Sequence, residues 1–340
     1  MTSAMDRELR EAPERVRALL ATHQQPYREL ARALRRDPPA FVATIARGSS
    51  DHAAGYAAAL FGILAGRATA SLPPSLVTRY GARPELRAAL ALAVSQSGRS
   101  PDLVTVLGQA RDGGARCAVL VNDTASPLAA LGDHVLPQAA GPERSVAATK
   151  SVLCTMAGIA LLTALWSEDE GLRTALDGLP DRLAEALACD WGAALAPLET
   201  ASSLFVVARG PALGIAGEIA LKCKETAGLH AEAVSAAEVR HGPRAALGRG
   251  VALLALALED PGGADSRAFA AEVAATGGTV LTAAVEPGPG LHLPLPPPLH
   301  PLLDPLAALQ AFYPLAEALA RARGRDPDRP PGLAKVTRTI

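Results

Sequence analysis

Aromatic residues make up only 3% of the chain, too few for the stacking platforms on which single-stranded nucleic acid lies. Net charge is nearly absent: 33 Lys and Arg stand against 34 Asp and Glu, giving −1. Neither a phosphate backbone nor an anionic membrane surface is therefore an expected partner. Cysteine is scarce. Cys117, Cys154, Cys189 and Cys223 lie more than 30 residues apart and match no zinc spacing. His23, His52, His134, His292 and His300 are scattered as well, so no metal is expected. The thiols read as reduced, buried side chains of a cytoplasmic protein. Met1–Arg17 is charged and has no apolar leader core. The most apolar stretch, Met156–Trp166, is short and runs into acidic residues, so no membrane span is expected. No Walker sequence occurs and no G-x-G-x-x-G follows a strand, which argues against nucleoside triphosphates and dinucleotides.

What the chain does have is an internal repeat. Ala46-Arg47-Gly48 follows the apolar run Phe41–Ile45, and Ala208-Arg209-Gly210 follows Leu204–Val207, about 160 residues later. Ala89–Val94 pairs with Val251–Leu258 and Cys117–Val121 with Thr279–Ala283 at about the same offset. Between these runs the period changes from strand-like to helix-like. A helical lead-in, Arg7–Arg36, stops at Asp37-Pro38-Pro39. Strands alternating with helices imply a doubly wound parallel sheet in each copy. The class is α/β: two tandem flavodoxin-like domains. The lead-in covers 1–38, the first domain 39–170, the second 190–324, and a tail 325–340.

In such sheets ligands gather outside the carboxyl ends of the strands. There the first copy places Gly48-Ser49-Ser50 and Ser95-Gln96-Ser97-Gly98-Arg99-Ser100, each opening a helix. Ser100 reads as an N-cap, with Pro101 in the first turn. Hydroxyls and free N–H groups at helix starts suit a phosphate dianion. They also suit ordinary turns and caps, and both readings stay open here.

The second copy has no serine-rich loop. It offers Lys222, Lys224 and Glu225 near the end of a helix, then His230 and Glu232, then Glu238-Val239-Arg240-His241-Gly242-Pro243. Lys222 and Glu225 share a helix face. They form either a surface ion pair or a general base held beside a cation. His241 is either a helix-terminal cap before Gly242-Pro243 or a second proton carrier.

Taken together, these segments resemble the sugar isomerase (SIS) family. The similarity is to its two-domain branch, which holds the isomerase half of glucosamine-6-phosphate synthase and the SIS-type glucosamine-6-phosphate deaminases. The resemblance rests on Met5-x-x-Glu8-x-x-Glu11-x-Pro13, Gly48-Ser49-Ser50, Ser95-Gln96-Ser97-Gly98 and Val146-Ala147-Ala148-Thr149-Lys150. It rests most strongly on Lys222-x-Lys224-Glu225, His230-Ala231-Glu232-Ala233 and Glu238-x-x-His241-Gly242-Pro243, and it ends with Leu333-Ala334-Lys335-Val336-Thr337. It implies two tandem SIS domains and roles for their residues. Ser95, Gln96, Ser97 and Ser100 would hold a phosphate, with Gly48, Ser49 and Ser50 helping to hold the sugar. Val146, Ala147 and Ala334 would touch that sugar. Glu225 would carry a proton between C1 and C2, and Lys222 would stabilise the charge that develops. His241, from the neighbouring subunit of a homodimer, would open the ring. Lys335 would close the site or hold an imine. No cofactor or metal is implied. Arg99 and Ala148 replace the Glu and Ser usual in the synthases, and no glutaminase half is expected before residue 39. The two replacements, Arg99 and Ala148, resemble the deaminases. The resemblance thus implies conversion of glucosamine 6-phosphate to fructose 6-phosphate and ammonia. An aldose–ketose isomerase, a fructosamine-phosphate deglycase and a non-catalytic sugar-phosphate sensor are the alternatives.

Overall fold

The computed structural model describes residues 2–335. They form two compact units, each built on one sheet, and the division falls within helices α1 (Ala4–Thr22) and α7 (Glu170–Leu187).

The first unit spans Glu14–Glu143 and Lys150–Asp177, with Ala334 and Lys335 of the tail. Its elements are α2 (Gln24–Arg36), β1 (Phe41–Ile45), α3 (Ser49–Leu64), β2 (Thr69–Ser71), α4 (Pro74–Thr78), β3 (Ala89–Ser95), α5 (Pro101–Asp112), β4 (Arg116–Val121), β5 (His134–Pro137) and α6 (Lys150–Ser167). All strand pairs are parallel, in the order β2-β1-β3-β4-β5. Every residue of β3 is buried, as expected of a central parallel strand covered on both faces. α5 packs on β1, β3 and β4, and α3 packs on α6. On α2 the buried residues are Tyr27, Leu30, Ala31 and Leu34, the stripe by which an amphipathic helix joins a core.

The second unit holds residues 2–13, Arg144–Thr149 and Gly178–Leu333. After α8 (Leu195–Thr200) come β6 (Ser203–Ala208), α9 (Ala212–Ala227), β7 (His230–Ser235), β8 (Val251–Leu256), α10 (Pro261–Ala275), β9 (Thr279–Ala284), β10 (Leu291–Pro294) and α11 (Asp304–Ala322). This sheet is also parallel, in the order β10-β9-β8-β6-β7. Read from its other edge, it repeats the first sheet's order, 2-1-3-4-5, the flavodoxin-like arrangement. The repeated runs take equal places: β1, β3 and β4 in one sheet, β6, β8 and β9 in the other.

Two sequence expectations need correction. α6 is 18 residues long and apolar enough, by length and composition, to cross a membrane, although no stretch of that length was expected. Its Lys150 lies inside the apolar run's N-terminal extension and hid it. The helix is almost wholly buried, which is how a helix apolar on all sides behaves in a protein core. The second correction is β7. The sequence reading places His230 and Glu232 in no strand, but they lie exposed on an edge strand in which Ala231 and Val234 are buried.

Candidate active site

In an open parallel sheet the ligand crevice forms where strand order reverses. In the first sheet that point lies between β1 and β3, which pair from Phe41↔Ala89 to Ile45↔Ala93. The two serine loops leave these neighbouring strands side by side. Gly48 takes φ 55°, ψ −133°, a backbone state open in practice to glycine alone. From it the chain turns into α3, and the Gly48 carbonyl accepts from Asp51 N (2.9 Å) and His52 N (3.2 Å). Ser49 and Ser50 are half-buried in the first turn of α3, where helix N–H groups favour an anion. The two loops are tied together: Arg47 Nε donates to Asp102 Oδ2 at 3.0 Å, and Asp102 Oδ1 accepts from Leu103 N in the first turn of α5.

The loop after β3 is more tightly built. Ser95 is buried, and its Oγ accepts from Gly98 N at 3.0 Å, closing the turn. Gly98 has φ 62°, and a Cβ there would fall 2.0 Å from Ser126 Oγ, so the position needs glycine on two grounds. Gln96 and Ser97 are half-buried. The Ser97 hydroxyl accepts only a long bond from Arg99 N, 3.3 Å, and Ser100 makes no side-chain capping bond. The expected N-cap role of Ser100 is thus not filled by its hydroxyl. Arg99 turns outward to Asp123 (2.8 Å).

Lys335 also belongs to this unit. Its Nζ donates to Glu143 Oε2 at 3.2 Å. The Glu143 side chain is wholly buried and accepts from Ser151 N (3.1 Å) and Ser151 Oγ (2.6 Å). Glu143 was not singled out from the sequence. Its only signal there was its place just before Val146–Lys150. Ala334 is exposed, and Val336 and Thr337 lie outside the described residues.

In the second unit, α9 presents Glu218, Lys222 and Glu225 on one face, at the spacing that brings side chains together. Lys222 is 1% exposed and pairs with Glu225 Oε2 and, at 3.4 Å, with the wholly buried Glu218 Oε1. Tyr313 of α11 donates to Glu218 Oε1 at 3.4 Å. Burial alone would lower the Lys222 pKa, but the two carboxylates outweigh it and raise it above 10.5. Glu225 keeps 24% of its side chain exposed, so one oxygen pairs while the group stays reachable. Sequence spacing gave the Lys222–Glu225 pair. Glu218 was missed, because nothing in the pattern said that this face would be buried.

His241 is exposed, at the end of the 3-10 turn Glu238–His241. It is not a cap on an α-helix: a glycine at φ 150°, Gly242, and a second short turn, Pro243–Ala246, follow. The segment is held from α10, where Glu272 accepts from Arg240 (2.7 Å) and Arg244 (3.0 Å) and the Arg240 guanidinium lies 5.0 Å above the Phe269 ring. The hydrogen bond from Arg240 chiefly holds the Glu272 carboxyl below the usual carboxylate range. Val146 is half-buried and donates to Asp328 O (3.3 Å), and Ala147 is buried. Glu8 of the lead-in motif braces that segment by accepting from Ser145 N at 3.1 Å.

The first unit thus groups Gly48, Ser49, Ser50, Ser95, Gln96, Ser97 and Ser100 at one switch point, with Lys335 on Glu143. The second unit joins Lys222 to Glu225 and carries His241 on a separate, exposed turn. The second sheet's own switch point offers no hydroxyl loop. There Arg209 pairs with Asp265, and Asp260 caps α10 by accepting from Gly263 N (2.6 Å). Among the described residues no cluster of three or more His, Cys, Asp or Glu has metal-site geometry.

A doubly wound parallel sheet with hydroxyl-bearing loops at its switch point defines an α/β class. The comparisons narrow it. Residues 41–165 match the SIS domain family. A glutamine–fructose-6-phosphate aminotransferase (isomerizing) of Zymomonas mobilis is 35% identical over 264 residues, covering 72% of this chain and 43% of that protein. The chain therefore spans less than half the length of that curated relative. A crystal structure from Silicibacter pomeroyi DSS-3, described provisionally as a phosphosugar isomerase, is 43% identical, with a TM-score of 0.90 over 96% of this chain and 100% of that one. A glucosamine-6-phosphate deaminase of Thermotoga maritima shares the fold, with a TM-score of 0.77 at 20% identity over 99% of this chain and 100% of that one. The chain belongs to the SIS family, among relatives named as phosphosugar enzymes.

Proposed function

We propose that the protein is a glucosamine-6-phosphate deaminase, releasing fructose 6-phosphate and ammonia from glucosamine 6-phosphate and water. The observation that carries this reading is the α9 pair: a reachable carboxylate, Glu225, held beside a buried ammonium, Lys222. An enediol-type proton shift needs one base that serves two adjacent carbons, and a carboxylate fixed on a helix suits it. Gln96, Ser97 and Ser100 hold the phosphate, with the α3 and α5 N-termini adding N–H donors. Ser95 serves chiefly by shaping the turn. Gly48, Ser49 and Ser50 hold the sugar, which also touches Val146, Ala147 and Ala334.

Ring opening uses His241, supplied by the second subunit of a homodimer. Glu225 removes the C2 proton from the open-chain aldehyde and returns it to C1, giving the 2-imine of fructose 6-phosphate. Lys222 offsets the charge that builds on the intermediate. Water adds to the imine carbon, the C–N bond breaks and ammonia leaves. Lys335 secures the tail through Glu143. In this reading the second sheet is a second SIS domain in tandem with the first, and the enzyme works in the cytoplasm. The replacements Arg99 and Ala148 support deamination over synthase-type chemistry.

An ammonia-coupled assay across a panel of amino-sugar phosphates tests the proposal. Ammonia and fructose 6-phosphate in equal amounts from glucosamine 6-phosphate is the expected result. Interconversion of ketose and aldose phosphates without ammonia would assign an isomerase, and amino-acid release from a fructosamine phosphate would assign a deglycase. Tight binding with no turnover of any substrate would leave a sensor.

A further inference from the structure

The opposite end of the first sheet, where its strands begin, carries a row of basic side chains that the proposed chemistry does not use. Arg67 lies two residues before β2, Arg87 two before β3, Arg116 opens β4 and His134 opens β5, while Arg36 ends α2 just ahead of β1. Together they line a groove of about 670 Å³, within the size range of small-molecule sites. At the corresponding sequence places the second sheet has one arginine, Arg249, while Arg323 and Arg325, beyond α11, reach the chain just ahead of β6 and β7.

Two carboxylates share the groove, and both are engaged. Asp37 pairs with Arg116, which also donates to the Asp37 carbonyl (2.9 Å) at the end of α2. Asp133 accepts from Cys117 N at 2.8 Å. Arg87 approaches Glu85 only to 3.8 Å. The Nε of Arg67 is shielded from solvent and meets no hydrogen-bond partner. Strands about 4.8 Å apart, in the order β2-β1-β3-β4, spread these groups over roughly 14 Å. A single phosphate is too small for that span.

We propose that this groove binds a condensed phosphate, the diphosphate or triphosphate group of a soluble small molecule, at the face opposite the serine loops. Forked guanidinium groups suit such oxygens. The test is calorimetric titration of the full chain with inorganic pyrophosphate, orthophosphate and ADP at constant ionic strength. Pyrophosphate or ADP should bind with a dissociation constant below about 1 mM, and orthophosphate more weakly. Arg67→Met and Arg36→Met should each weaken that binding by about tenfold or more, while Ser97→Ala leaves it unchanged. Arg36 is exposed, so its variant remains decisive even if Arg67→Met fails to fold. Preference for ADP or for pyrophosphate supports the proposal either way and tells an esterified source from an inorganic one. Binding of neither, orthophosphate binding as tightly, or a loss that follows Ser97→Ala and not the arginine variants would overturn it.

Discussion

Replacing Lys222 with methionine keeps most of the side-chain volume and removes one charge from the C-terminal half of α9. Glu218, with no exposed side-chain surface, then loses the ammonium 3.4 Å away. Tyr313, also at 3.4 Å, supplies only a long neutral hydrogen bond. Removing one member of a buried ion pair costs about 3–5 kcal/mol, because the remaining charge stays desolvated. A unit of this size loses roughly 2–4 °C per kcal/mol, so the melting temperature should fall by roughly 6–20 °C. Neutralising the partner as well, in Lys222→Met/Glu218→Gln, should recover most of the loss, since an uncharged replacement avoids the desolvation penalty. Circular-dichroism melts of the single and double variants check this. A single variant that melts within about 2 °C of wild type, or a double variant no better than the single, would refute the argument. The pH dependence gives a second check. The folded Lys222 pKa lies above its ordinary 10.5. Its contribution is therefore complete below that value and fades as pH climbs through the higher folded value. The gap between wild type and Lys222→Met should stay flat through neutral and mildly alkaline pH and close only in strong base.

Glu225→Gln should lower kcat about 10²–10⁴-fold while phosphosugar binding persists, since only the base is lost; near-normal turnover in a steady-state assay would remove Glu225 from the mechanism. Ser97→Ala should raise KM about tenfold with kcat and melting temperature nearly unchanged, because its hydroxyl makes only one long internal bond; an unchanged KM would place the phosphate elsewhere. Gly98→Ala should cost about 2–4 kcal/mol, from a left-handed backbone and a Cβ driven against Ser126, and urea denaturation measures it.

The sequence by itself determined the central strands of both sheets. Buried parallel strands are near-continuous apolar runs, so Ala89–Val94 and Val251–Leu258 announce themselves, and the repeat between them follows. It also marked both serine loops, because a strand end followed by Gly and Ser before a helix is a local pattern. It could not supply what depends on long-range packing. Three-residue β2 is too short to carry a period, and the burial of β7 does not alternate, so it shows no clean strand pattern. α6 reads as too short for a membrane span, and only the fold shows a buried helix of 18 residues. The same limit holds at the candidate site. Lys222 and Glu225 are neighbours by helix geometry, so their spacing sufficed. Glu218 became a partner only because α11 covers that face, and Glu143 became the anchor of Lys335 only because residues 192 positions apart meet. Whether a charge is buried is decided by what packs over it, and that is a property of the folded chain.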